Sequence, residues 1–141
     1  MPSLAQAQTA LDNRAILAFA GSGAVLLHGN QSDSEVSQGS APYIRFRVVF
    51  STNRQLQLGR READAPCPRR NEGYVLIVIH TRKGTGDGQR NSLQERVNQH
   101  FPSRTVGGVT LRDARVVSVG ETVNWAILGI QIPFHFDQYE V

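Results

Sequence analysis

Apolar and polar positions alternate most persistently between Val123 and Phe136, VNWAILGIQIPFHF. Taken by twos, Ala126, Leu128, Ile130, Ile132, Phe134 and Phe136 share one face, with Val123, Trp125 and Ile127 on the other. Gly129 and Pro133 would be costly inside a helix, whereas a strand carries them at a bulge or an edge. So apolar a strand belongs inside a sheet with helix over its better face, and it is expected to be central or penultimate. Tyr43–Phe50 (YIRFRVVF) repeats the pattern, with Ile44, Phe46, Val48 and Phe50 inward and Tyr43, Arg45, Arg47 and Val49 outward. Gly73–His80 (GYVLIVIH) is apolar on both faces, as an interior strand should be. Ala24–His28 predicts a short strand. Val109–Val119 predicts one that bends or breaks near Asp113, with Gly120-Glu121 turning into the final strand.

Two stretches carry helical spacing instead. Ser3 and Gln6 have the form of a capping box, and Leu4, Ala7, Leu11, Ala15 and Ala18 follow as one Ala-rich stripe that Gly21-Ser-Gly23 ends. Leu93, Val97 and Phe101 recur at four-residue spacing across Gln89–Phe101, and Pro102 stops that helix. Between elements, Gly29–Pro42 is polar and reads as a loop. Ser51–Glu72 reads as a long connection, too long for a plain turn, in which Gln55, Gln57 and Gly59 alternating with Leu56 and Leu58 suggest a short strand or hairpin arm. The expected architecture is α+β, a mixed or antiparallel twisted sheet with two main helices packed on one face, forming one domain over residues 1–141.

Composition narrows the picture little: 40% hydrophobic and 19% charged residues suit a globular chain. No run reaches the 18 or so apolar residues of a membrane span, and Met1–Phe19 lacks a basic start and carries Asp12 and Arg14, so no membrane contact and a protein that stays in the cytoplasm are expected. Charge is more informative. The net +3 divides into minus two over residues 1–41, plus eight over 45–115 and minus three over 116–141. All but one of the basic residues are Arg, the exception being Lys83. Arg suits bidentate pairing with carboxylates, and opposite charge on the middle and the ends fits head-to-tail self-association or acidic partners.

Candidate chemistry is sparse. The loop Lys83-Gly-Thr-Gly-Asp-Gly88 sits between strand and helix, where phosphates are cradled, but it lacks both the Gly-Lys-Ser/Thr ending and the dinucleotide spacing. Asp87 there reads as a helix N-cap. His28, His80, His100 and His135 stand singly without metal-ligand spacing; His135 and Asp137, two apart, could share a face. Cys67 excludes an internal disulfide and is expected as a free thiol in a loop, with Arg69 and Arg70 near it but no base in reach by sequence. No catalytic residue, cofactor or metal is expected. The arginines of the long connection, Arg54, Arg60, Arg61, Arg69 and Arg70, together with Arg82 and Lys83, are the candidates for contact with another subunit or a tube. A solvated loop, a protein-docking arm and a nucleic-acid arm all remain open for them, though the aromatic interleaving of a single-strand binder is missing.

From Tyr43 onward a succession of short motifs resembles a known family. These are Pro42-Tyr-Ile-Arg-Phe46, Gly73-Tyr-Val-Leu-Ile-Val78, Gly84-x-Gly86 before a helix ending His100-Phe-Pro102, Gly108-Val-Thr-Leu111, and Trp125 leading into Ile130-Gln-Ile-Pro-Phe134 and Phe136-Asp137. In this order they resemble the tail terminator, or tail completion, proteins of tailed phages and prophages. The resemblance spans most of the chain, and departs from the family in the longer and more basic stretch 51–72. It implies a non-enzymatic virion protein that forms a ring, usually a hexamer, capping the tail tube and ending its polymerisation. It also implies partners: the tube protein, the head-completion or connector protein, and DNA passing through the lumen without sequence-specific binding. Another head–tail junction or tail-tube subunit is the neighbouring alternative, and a small basic nucleic-acid-binding module the alternative from a different class.

Overall fold

The computed structural model describes residues 3–29, 41–55, 67–84 and 87–140. Helix α1 (Leu4–Phe19) opens on the predicted capping box, the Ser3 hydroxyl accepting from the Gln6 amide at 3.1 Å and the Gln6 side chain accepting from the Ser3 amide at 2.9 Å. Its buried stripe is Ala7, Leu11, Ala15, Ala18 and Phe19. Leu4, expected in that stripe, is 46% exposed because the first turn precedes the packed part of the helix. Strands β1 (Val25–His28), β2 (Tyr43–Gln55) and β3 (Cys67–Arg82) follow, then α2 (Gly88–His100), β4 (Arg104–Val106), β5 (Val109–Leu111), β6 (Arg115–Glu121) and β7 (Trp125–Glu140).

The described strands make one seven-stranded, mostly antiparallel sheet in the order β1-β2-β3-β7-β5-β4, with β6 also on β7; among them the β1–β2 pair alone is parallel. The fold is α+β. Strand β7 is interior, as its pattern predicted, held by β3 along one edge and by β5 and β6 along the other.

Register explains the core. Ile44 faces Ile79, Phe46 faces Ile77 and Val48 faces Val75; in turn Ile79, Ile77 and Val75 face Leu128, Ile130 and Ile132. These side chains alternate onto one sheet face and share a buried cluster with the α1 stripe and with Leu93, Val97 and Phe101 at α2. Full burial of each aliphatic or Phe side chain stabilises the fold by roughly 1.5–3 kcal/mol. The two helices also close each other's C-terminal ends. Arg96 of α2 donates to the Ala18 and Ala20 carbonyls at 3.2 and 3.0 Å, and Arg14 of α1 donates to the His100 carbonyl at 2.8 Å. Helix-end carbonyls have no partner within their own helix, so each arginine satisfies groups its own helix cannot. On the other sheet face Leu27, Tyr43 and Trp125 form a second buried group with Ile127. Tyr43, expected to face solvent, is 4% exposed there, stacked on His80 and edge-on to Trp125.

Several boundaries differ from the sequence reading. The long connection is shorter than Ser51–Glu72, because β2 runs on to Gln55 and β3 begins at Cys67, paired residue by residue through Gln55 and Arg69. Polar residues can extend a strand where the ladder already exists, and a bulge between Phe50 and Thr52 absorbs the change of register. Cys67 therefore lies in a strand. Only 56–66 remains between the two strands, and the predicted Leu56–Gly59 arm lies outside the described residues. Val109–Val119 is two strands, broken around Asp113 as expected, and Arg104–Val106 adds a strand that was not foreseen. Gly120 and Glu121 belong to β6; the turn falls at residues 122–124, where the Thr122 amide and hydroxyl bond to Trp125. Asp87 holds the N-cap position of α2, yet its carboxylate makes no cap bond and pairs instead with Arg90 at 3.2 Å.

Candidate surface for subunit contact

Past the apolar core, β2, β3 and β7 continue side by side as a polar three-stranded end. On the core-side face Asn53, Asn71 and Gln138 form a ladder across the strands. The Asn53 amide donates to Asn71 at 2.6 Å, and the Asn71 amide donates to Gln138 at 2.9 Å. Asn71 is 3% exposed, so this ladder satisfies a buried amide where the side chains change from apolar to polar.

The opposite face carries charge. Arg54 pairs with Glu72 at 2.9 Å, while the Glu72 carbonyl accepts from the Ser51 hydroxyl at 3.0 Å. Arg70 grips Asp137 with two bonds, Nε to Oδ1 at 2.8 Å and Nη2 to Oδ2 at 3.1 Å. Planar guanidinium and planar carboxylate match in this arrangement, and Arg70 and Asp137 are direct cross-strand partners. The Arg70 hydrogen bond holds the Asp137 carboxyl below its ordinary range, with burial opposing, and Asp137 in return raises Arg70. His135 faces Glu72 across the ladder; burial chiefly, then the charges of Arg70 and Arg112, push its imidazole below the ordinary 6.5. A shallow cavity of about 340 Å³ lies here, lined by Ser51, Arg54, Glu72, Gly73, Arg112 and Pro133 among others.

The seven candidate contact residues do not form one site. Arg54, Arg69 and Arg70 belong to this polar end, and Arg60 and Arg61 lie outside the described residues. Arg82 and Lys83 sit at the far end of β3, twelve residues from Arg70, which at ~3.3 Å per residue is about 40 Å. There the Arg82 guanidinium lies 4.6 Å from the Trp125 ring centre, and Lys83 pairs with Glu121 at 3.2 Å. Thus Arg54, Arg70 and Lys83 each meet a carboxylate. Sequence reasoning missed those partners, Glu72, Asp137 and Glu121, and the Asn71 ladder. Asp137 is 67 residues from Arg70 along the chain, so no local spacing could have joined them. The usable signal was that polar alternation continues past Phe50 and before Gly73, which extends both strands until their charges pair.

Among the described residues no group of three or more His, Cys, Asp or Glu side chains is placed to hold a metal ion. No described helix is long and apolar enough to cross a membrane. No protein-family model and no curated protein matches the chain. Among the solved structures that match, one, of a protein whose name states no activity, covers 100% of both chains with a TM-score of 0.68 and 14% identity. Such a likeness speaks for the fold alone, and shows that it recurs as a whole in a very different sequence.

Proposed function

We propose that the chain is a structural virion protein, of the tail terminator type, whose copies form a ring at the head–tail junction of a tailed phage or prophage. In this reading the ring, a hexamer, caps the tail tube, ends its polymerisation and presents a docking face to the head connector, without enzymatic activity. Both helices cover one face of the sheet and leave its other face and edges to neighbours. Assembly takes place in the bacterial host cytoplasm, and DNA passes through the lumen without sequence-specific contacts. The reading starts from the family-like motifs, which fall on β2, β3, the end of α2, β5 and β7, the elements that build the core.

The observation that carries it is the state of the arginines. At the polar end Arg54 and Arg70 are paired with Glu72 and Asp137, and their charges are offset. A nucleic-acid arm would present unpaired cations to phosphate, since each phosphate contact adds salt-sensitive affinity. Paired arginines suit a protein surface that exchanges one carboxylate for another on docking. The small basic module is therefore the weaker reading.

The test is capping. The purified protein is added to the tail-tube protein encoded in the same genome during polymerisation, and tube length and ends are read by electron microscopy. Shortened tubes bearing a ring of this protein at one end are expected. Unchanged tube lengths with bare ends would sink the proposal.

A further inference from the structure

The helix-free face of the sheet carries a second pattern, beside the polar end. Arg47, Leu76, Gln131 and Arg115 are successive partners on β2, β3, β7 and β6, so they form one row across four strands. Val49, Tyr74 and Pro133 form the next row. Arg112 extends it on the β5 side: Leu111 pairs with Phe134, and the Arg112 amide donates to the Pro133 carbonyl at 2.8 Å. The residues alternating with these, Val75, Ile77, Ile130 and Ile132, lie in the core beneath the helices, so both rows face away from it. Val49, Tyr74, Leu76, Val78 and Pro133 are half-buried there and belong to neither buried cluster. Among the described residues none of Arg47, Arg112 and Arg115 forms an ion pair; Arg115 donates to the Gln131 side chain at 3.1 Å.

An apolar floor rimmed by charge is the pattern of a protein-docking surface. We infer that this face receives an amphipathic helix of a different protein, its apolar stripe on the floor around Leu76 and its acidic residues along both flanks. The inference concerns a single copy of the chain and does not rest on the ring proposed above.

Width selects a helix. From β2 to β6 is three strand steps of about 4.8 Å, which puts Arg47 and Arg115 about 14 Å apart. A helix with its side chains is about 10–12 Å across, so one lying along β3 and β7 reaches both flanks at once. A single added strand would leave one flank uncovered. Charge selects acid on both sides of the stripe, since Arg47 stands on one flank and Arg112 and Arg115 on the other. The floor argues against nucleic acid. A phosphate backbone would answer the arginines but leave the apolar side chains between them in water, and Tyr74 is the one aromatic residue on the two rows, short of a stacking track. A second copy of this chain is not the source either. Each of its helices has one acidic residue, Asp12 on α1 and Glu95 on α2, matched or outnumbered by Arg14 and by Arg90 and Arg96.

The probe is a synthetic helix of about 18 residues, about 27 Å long, with a leucine stripe and glutamates on both flanks. A sister peptide has lysines in place of the glutamates. In the full-length protein, amide NMR shifts on adding the glutamate peptide should centre on Leu76, Val78 and Gln131, and the lysine peptide should leave them unmoved. The variant Arg47→Glu/Arg115→Glu, its fold checked by circular dichroism and Trp125 fluorescence, should bind the glutamate peptide about tenfold more weakly or worse and should bind the lysine peptide instead. That exchange of preference is one a merely destabilised sheet would not produce. The inference is overturned if wild type shows no binding at about millimolar peptide, if the shifts fall on another surface, or if the lysine peptide binds wild type equally well. It is overturned too if the variant keeps its affinity for the glutamate peptide, or if a DNA duplex displaces that peptide from wild type.

Discussion

Gly73 is where the apolar part of β3 meets its polar extension, and replacing it with Ala should be the most damaging single-methyl change in the sheet. A Cβ built there runs into the Val49 carbonyl oxygen and comes within 2.9 Å of the Phe134 ring. Gly73 pairs with Phe50 on one side and Phe134 on the other, and the bulge between Phe50 and Thr52 lies directly beside it. The ring could turn away, but the carbonyl belongs to the neighbouring strand, so backbone must move. Overpacking of a well-filled site costs typically 1–3 kcal/mol, and a backbone collision belongs at the upper end. Against it stands the entropy that Gly→Ala removes from the unfolded chain, about 0.4–1 kcal/mol. The net expectation is a loss of about 2 kcal/mol. Urea denaturation followed by fluorescence of the single, buried Trp125 measures it. Gly120→Ala is the matched control: on exposed β6 its Cβ meets nothing within 4 Å, so stability should hold or rise slightly. A Gly73→Ala protein as stable as the Gly120→Ala protein would refute the reasoning.

Three further outcomes are expected. Asn71→Ala should lower stability by about 0.5–1.5 kcal/mol, because it removes the two hydrogen bonds a buried amide makes to exposed Asn53 and half-buried Gln138; unchanged denaturation midpoints would show the ladder to be idle. The Asp137 carboxyl titrates below its ordinary value of 3.8, so its contribution is present above that value and lost as pH falls through the folded one. Wild type should therefore lose its stability advantage over Asp137→Asn on acidification below about pH 4, and a difference constant with pH would contradict the pairing. His135 and His100 lean the other way: both are held below 6.5, by burial first and then by nearby arginines, so the unfolded chain binds more protons just below that value. Stability should fall as pH drops through about 6.5 and level off below the folded values, and the double variant His100→Gln/His135→Gln should flatten that slope between about pH 7 and 5.

The core strands were legible because burial on one face writes itself into a period of two. Ile44, Phe46, Leu128, Ile130 and Ile132 were placed by alternation and are buried, whereas Gly73–His80, apolar on both faces by sequence, buries Val75, Ile77 and Ile79 on one of them. The capping box was equally local, two side chains three residues apart. What failed was what depends on neighbours. Residues 51–55 and 67–72 look like loop because their side chains are polar; they are strand because β7 supplies a continuous ladder on which polar groups can pair. Tyr43 looks outward by parity, yet the second face has its own buried group around Trp125. The grouping of Arg82 and Lys83 with Arg70 failed for a geometric reason, since nearness in sequence along an extended strand is distance in space.

On the proposed reading, the polar end also bears on how a basic ring could surround DNA without holding it. A net charge of +3 with fourteen arginines would suggest a sticky surface if those groups stood free. Arg54 and Arg70 are instead committed to carboxylates on β3 and β7, and these pairs are partly open to water. Exposed pairs contribute little to folding, so exchanging an internal carboxylate for one on a partner costs little stability. The same exposure leaves the exchange responsive to salt. On the proposed reading this is the property a junction ring requires: its arginines are poised for acidic protein surfaces that can displace Glu72 or Asp137 by shape as well as charge. A passing phosphate backbone, offering charge without fit, gains only what the resident carboxylates have left uncompensated.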